Sequence, residues 1–150
     1  MLDLKIQQRL RKLIDEATVK NCPAVDLSLA KEIKQIVKAS PELVSSAYQV
    51  LISRLGTKHC QTRILALELC NQLFTRSRDF RQNVSRDFDK FLELCTGFRP
   101  ESPLPPPRDV ADRLRRRSAE LFQQWSEDFG AHYPQLFVRC DMAVDIFGIR

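Results

Sequence analysis

The pair in this sequence that comes nearest to catalytic chemistry is a cysteine beside a histidine. His59 and Cys60 are adjacent, and an imidazole that accepted the thiol proton would make Cys60 a nucleophile. Neighbouring residues of a helix point about 100° apart, however, so an adjacent pair does not meet as base and nucleophile. The carboxylates are scattered, without a pair set in apolar sequence. We therefore predict no catalytic residue and no enzyme.

Metal and cofactor sites are not predicted either. The five cysteines include no CxxC pair, and His59 and His132 lie in different segments without partners at metal-ligand spacing. The four glycines are dispersed, whereas a phosphate-binding loop needs clustered glycines. An odd cysteine count, with Cys60, Cys70 and Cys95 on apolar helix faces, is typical of free thiols in a reducing compartment.

Charged side chains are the candidates for binding. Four arginines cluster on one predicted helix and three lysines form a row on another: Arg113, Arg115, Arg116 and Arg117, and Lys31, Lys34 and Lys38. We predict these seven as partner-binding residues, because such groups dock on acidic proteins or on phosphate backbones. The alternative is a solvated helix face, and the net charge of +5 permits both. No aromatic residue interleaves with the arginines, which argues against sequence-specific recognition of nucleic acid.

The element that must organise these side chains is the stretch from Cys60 to Phe74, here called the hub helix. Apolar residues cover most of its circumference, and such a helix is buried on several sides. We predict Thr57 as its cap. Its predicted core residues, joined by a tryptophan from a later helix, are Ile64, Leu65, Leu69, Leu73, Phe74 and Trp125.

Other helices are predicted on both sides of the hub helix. Apolar periodicity, capping residues and glycine stops place them at about Leu4 to Ala17, after Asp26, from Ser40-Pro41-Glu42 to Gly56, after Ser77, after Ser85 as far as Gly97, from Arg108 to Phe129, and from Tyr133 or Pro134 to Arg139. No stretch shows the alternation of a strand. The predicted fold class is all-α, with seven or eight helices.

Length and composition predict one domain. The 150 residues are 43% apolar and 29% charged, which suits a globular chain. We place the domain at 1–147 and expect a linker to begin at 148–150. Residues 98–107 hold five of the eight prolines and are expected to form a stiff connector laid over the helices. No apolar stretch approaches the roughly eighteen residues of a membrane span, so we expect no membrane contact.

Several short motifs carry a family resemblance. Leu104 to Arg108 opens a helix, Trp125 follows in that helix, and Phe129-Gly130 precedes Tyr133. Upstream motifs agree in order and spacing: Ser46-Ala47-Tyr48, Arg63, Leu73-Phe74, Phe80-Arg81 and Phe91 to Leu94. Together these motifs resemble the UV-stimulated scaffold protein A family over nearly the whole chain, from about Ile6 to Phe147.

The resemblance implies a fold and a role. The implied fold is an N-terminal VHS-like domain, a right-handed α-helical superhelix of the VHS/ENTH type. The implied role is that of a non-catalytic scaffold in transcription-coupled nucleotide excision repair, in the nucleus and on chromatin. The implied partners are Cockayne syndrome A protein and the stalled RNA polymerase II assembly, with TFIIH and a deubiquitinating enzyme bound through other regions.

One departure from related domains bears on ubiquitin. Many ubiquitin-binding VHS domains have a tryptophan directly after an aspartate at the start of the second helix, where this sequence has Asp26-Leu27. The absence of that aromatic anchor argues against ubiquitin binding there. Two alternatives stay open: a trafficking-type VHS module that binds ubiquitin or acidic peptides, and an auxiliary helical domain that binds nucleic acid non-specifically.

Overall fold

The computed structural model describes residues 4–134 and Leu136. That part of the chain contains seven helices: α1 (Leu4–Ala17), α2 (Leu27–Val37), α3 (Pro41–Leu55), α4 (Cys60–Arg76), α5 (Arg78–Arg86), α6 (Phe88–Thr96) and α7 (Arg108–Phe129). No strand occurs among the described residues, so the all-α prediction is confirmed, and the arrangement is consistent with a VHS-like superhelix. Most of the predicted last helix and the predicted linker lie outside the described residues.

Local sequence sets where most helices begin. The side chains of Asp26, Ser40 and Ser77 accept backbone N–H groups at the starts of α2, α3 and α5, as predicted, with shortest distances of 2.8, 3.2 and 3.1 Å. Each side chain satisfies a donor that has no partner within the helix. These capping predictions are confirmed.

Two capping predictions are wrong. The N-cap of α4 is His59, whose Nδ1 accepts the Gln61 N–H at 3.2 Å, whereas the Thr57 hydroxyl donates to a carbonyl of the preceding helix. The break between α5 and α6 falls at Asp87, and Ser85 lies within α5. Ser85 therefore caps no helix.

The hub helix lies inside α4, at the centre of the described structure. It packs against α1, α3, α5, α6 and α7, so several faces are covered at once. Ile64 is half-buried against the core, and the remaining predicted core residues are buried: Leu65, Leu69, Leu73, Phe74 and Trp125. The Trp125 ring stacks on Phe74 with 3.9 Å between ring centroids, which fixes α7 against α4.

The proline-rich connector crosses the start of α4. The Cys60 N–H donates to the Pro106 carbonyl at 3.1 Å, and the Cys60 sulfur lies 2.9 Å from the Pro105 carbonyl oxygen. The peptide bond between Pro106 and Pro107, in the same connector, is cis. These contacts bring the N-terminal turns of α7 beside the N-terminus of α4.

Gly97 directs the chain from α6 into the connector. It ends α6 in the left-handed region at φ 61°, and a Cβ there would lie 2.7 Å from the Leu104 backbone nitrogen. Glycine is therefore required by both the backbone angle and the close approach of the connector.

In the described part of the chain, no helix combines the length and apolar character needed to cross a bilayer.

Candidate protein-interaction surface

The arginine cluster divides into two pairs. Arg113 and Arg116 are exposed, and neither has a carboxylate within 4.0 Å among the described residues. Arg115 and Arg117 are half-buried, and each donates a hydrogen bond to a residue of another helix. Only the first pair presents unengaged charge to a partner.

Arg115 joins α7 to the end of α6. Its Nε donates to the Thr96 carbonyl at 3.1 Å, and its Nη1 lies 3.2 Å from Asp112 Oδ1. The carbonyl is one of those left without a partner at a helix C-terminus, where positive charge is favourable. Arg115 therefore has a structural contact as well as an exposed portion.

Arg117 joins α7 to the hub helix. It makes two contacts with Glu68 and a third with Glu120, so two carboxylates neutralise it. The hydrogen bond to Glu68 raises the pKa of Arg117, because it favours the charged form. The residue is a poor candidate for binding a further acidic group.

The predicted lysine row lies on a different helix pair. Lys31 and Lys38 are exposed and Lys34 is half-buried, and none of the three has a carboxylate within 4.0 Å in the described structure. Helix α2 packs on α1 and α3, whereas α7 packs on α4 and α6. The seven predicted residues therefore belong to two separate basic faces.

A groove that the sequence did not predict lies beside Arg113. It has a volume of about 300 Å³ and lies between the loop after α1, the start of α4 and the start of α7. Lys20, His59 and Gln61 line it together with Arg113. No spacing signal links Lys20 to Arg113, because the chain brings them together only through the packing of α4.

His59 and Cys60 each have a structural environment that accounts for them, His59 as a helix cap and Cys60 as a buried thiol. His59 Nδ1 accepts the Gln61 N–H, and burial raises the pKa of the Cys60 thiol, which disfavours the reactive thiolate. Cys70 and Cys95 are fully buried, and burial raises the pKa of Cys95 to about 12. Among the described residues, no three His, Cys, Asp or Glu side chains are grouped so that they could hold a metal ion.

Comparison with known proteins decides the family. Residues 6–142 match the UVSSA N-terminal domain. The chain belongs to this family. The family resemblance predicted from the short sequence motifs is thereby confirmed.

Relatives of the UVSSA N-terminal domain extend from animals to plants. The chain is 40% identical to UV-stimulated scaffold protein A of Mus musculus over 131 residues, which is 87% of this chain and 18% of the relative. The corresponding protein of Bos taurus is 39% identical over 131 residues, 87% of this chain and 19% of the relative. A homolog from Arabidopsis thaliana is 39% identical over 124 residues, 83% of this chain and 19% of the relative. The chain spans about one fifth of the length of these relatives.

In this UVSSA N-terminal domain, the Asp26-Leu27 pair, from which we predict that ubiquitin does not bind, lies at the surface. Asp26 is the N-cap of α2, and Leu27, the first residue of the helix, is 78% exposed. The exposed side chain that follows the capping aspartate is therefore aliphatic and not aromatic. That ubiquitin does not bind at this position stays a prediction.

Proposed function

We propose that this UVSSA N-terminal domain is a non-catalytic protein-interaction module of a scaffold in transcription-coupled nucleotide excision repair. Its partner is Cockayne syndrome A protein at stalled RNA polymerase II. The observation that carries the proposal is the match of residues 6–142 to a family whose relatives are named scaffold proteins.

The charge distribution supports a docking role. Lys31 and Lys38 on α2, and Arg113 and Arg116 on α7, are exposed, and none of them has a carboxylate within 4.0 Å in the described structure. Cations without an internal partner attract an acidic surface over a distance and then fix its register. Because the helices are held by a continuous buried core, little backbone freedom is lost when a partner binds.

The location and the wider assembly follow from the same proposal. A domain that docks at stalled polymerase acts in the nucleus and on chromatin. TFIIH and a deubiquitinating enzyme would be bound by parts of the scaffold beyond this chain, which spans about one fifth of its relatives.

A capture experiment tests the proposal. The 150-residue chain, immobilised, should retain purified Cockayne syndrome A protein, and retention should fall as salt is raised because exposed charges are screened. Lys31→Glu with Lys38→Glu, and separately Arg113→Glu with Arg116→Glu, should identify which basic face binds. Capture by the full-length scaffold but not by this chain would place the contact elsewhere and contradict the proposal.

Arg78→Glu provides the matched control. Arg78 is exposed on α5, at the first position of that helix, where a carboxylate is favourable. It changes the net charge as much as any single reversal on α2 or α7 and half as much as either double variant, so the four single reversals are compared with it as well. Equal losses of capture in this control and in the two test variants would indicate a general charge effect rather than a docking face.

A further inference from the structure

The groove between the loop after α1 and the starts of α4 and α7 is held in a fixed shape. Gln61 Nε2 donates to the Cys22 carbonyl at 2.8 Å, which attaches the loop to α4. The Cys60 N–H donates to the Pro106 carbonyl at 3.1 Å, which attaches α4 to the segment that precedes α7. All three walls are therefore connected by hydrogen bonds, and a ligand would find the site already formed.

The groove is electropositive from two sides. Lys20 lines it from the loop and Arg113 from α7, and both side chains are exposed. Neither cation has a carboxylate within 4.0 Å among the described residues, and no Asp or Glu lines the groove there. Two cations that line one groove without a neutralising carboxylate favour an anionic ligand there.

His59 adds an imidazole ring to the same wall. Its Nδ1 accepts the Gln61 N–H, so in the neutral imidazole the proton lies on Nε2. His59 lines the groove, together with the apolar surfaces of Pro23 and Val110. The lining thus combines two cations, the polar side chains of Asn21, His59 and Gln61, and the apolar surfaces of Pro23 and Val110.

We propose that this groove binds an acidic peptide segment of a protein partner, with one carboxylate on Lys20 and a second on Arg113. The inference rests on the proposed function and adds that the partner binds through carboxylate groups. The His59 Nε2–H would donate to the peptide, and a short aliphatic side chain between the two carboxylates would contact Pro23 and Val110. Charge-assisted hydrogen bonds to carboxylates are stronger than neutral ones, so the two cations set the specificity.

Nucleic acid fits the groove less well. A phosphate backbone is bound by many cations along an extended surface, whereas two line this groove. Single strands are further held by bases stacked on aromatic rings, and no Phe, Tyr or Trp lines the groove among the described residues. A volume of about 300 Å³ accommodates a few peptide side chains.

Fluorescence anisotropy with a defined probe tests the groove. The probe is a fluorescein-labelled peptide of alternating glutamate and leucine, and the same peptide with glutamine in place of glutamate is the uncharged comparison. The wild-type chain should bind the glutamate peptide at least about tenfold more tightly than the glutamine peptide. Lys20→Glu with Arg113→Glu should weaken binding by about tenfold or more, while Arg78→Glu changes it less than about twofold.

Several results would overturn the groove proposal. They are equal binding of the two peptides, an unchanged affinity in the Lys20→Glu, Arg113→Glu variant, and preferential binding of a single-stranded oligonucleotide. Both substituted residues are exposed, so circular dichroism should show an unchanged helix content. The peptide titration does not require Cockayne syndrome A protein. A negative titration would therefore contradict the groove proposal alone, whereas a negative capture experiment would contradict the proposed partner.

Discussion

The guanidinium of Arg117 binds the carboxylate of Glu68 through two contacts, with Nε 2.7 Å from Oε2 and Nη2 3.0 Å from Oε1. This ion pair joins α7 to α4 across the chain, and both side chains are about one third exposed, at 37% and 30%. Arg116, the preceding residue, is exposed and has no acidic partner among the described residues. Neighbouring arginines of one cluster therefore have different roles.

Charge reversal should separate these roles. Arg117→Glu loses the pair and places a third carboxylate beside Glu68 and Glu120, so we expect a loss of about 1 kcal/mol in the free energy of unfolding. Arg116→Glu should change it by less than about 0.5 kcal/mol, because an exposed residue without a partner contributes little. Urea denaturation of both variants measures the difference.

The charge-swapped double variant is the control for that comparison. Glu68→Arg combined with Arg117→Glu restores an opposite-charge pair at the same site, so it should be more stable than either single variant. Additive losses in the double variant would show that the two side chains do not interact in solution.

Truncation of the hub helix should be costly. Leu69 is 1% exposed in the middle of α4, so Leu69→Ala should lower the free energy of unfolding by about 2–5 kcal/mol through lost burial and a residual cavity. Gln49→Ala, at an exposed position of α3, should change it by less than about 0.5 kcal/mol. Similar midpoints for the two variants would mean that α4 is not the centre of the core.

The histidine cap of α4 should stabilise the domain measurably. His59→Ala removes the acceptor for the Gln61 N–H, so we expect a loss of about 1 kcal/mol, as for other N-cap deletions. His59→Asn keeps a side-chain acceptor at that position and should recover most of the loss. Thermal unfolding of the two variants checks this, and an equal loss in both would exclude capping as the cause.

The cysteines should differ strongly in reactivity. Burial holds the pKa of Cys70 well above its usual range and raises that of Cys95 to about 12, so at pH 8 both remain protonated and inaccessible. Cys22 is partly exposed and should be alkylated first among the four cysteines that the structure describes. Iodoacetamide labelling followed by peptide mass spectrometry measures each site. Rapid labelling of Cys95 in the folded protein would contradict its burial.

Sequence patterns predicted the helices because the causes are local. Apolar spacing and the caps at Asp26, Ser40 and Ser77 act within a few residues, and the structure agrees with them. Thr57 was predicted as a cap because threonine is the commoner capping residue, but the helix begins three residues later and His59 supplies the acceptor.

The surface could not be predicted in the same way. Whether an arginine of α7 is engaged depends on which residue of α4 lies opposite, and that register is set by the stacking of Trp125 on Phe74. Sequence spacing therefore does not distinguish Arg117, which binds Glu68, from Arg116. The presence of Lys20 and Arg113 in one groove likewise depends on tertiary packing, because Lys20 lies in the loop after α1 and Arg113 lies in α7.

Crosslinking mass spectrometry of the assembled repair complex, with the full-length scaffold present, tests the central proposal most directly. A lysine-reactive reagent should join Cockayne syndrome A protein to Lys20 or to one of the exposed lysines of α2, Lys31 and Lys38. If every crosslink from this domain instead leads to other regions of the scaffold, and Cockayne syndrome A protein is joined only to those regions, the domain is not the docking module proposed for it.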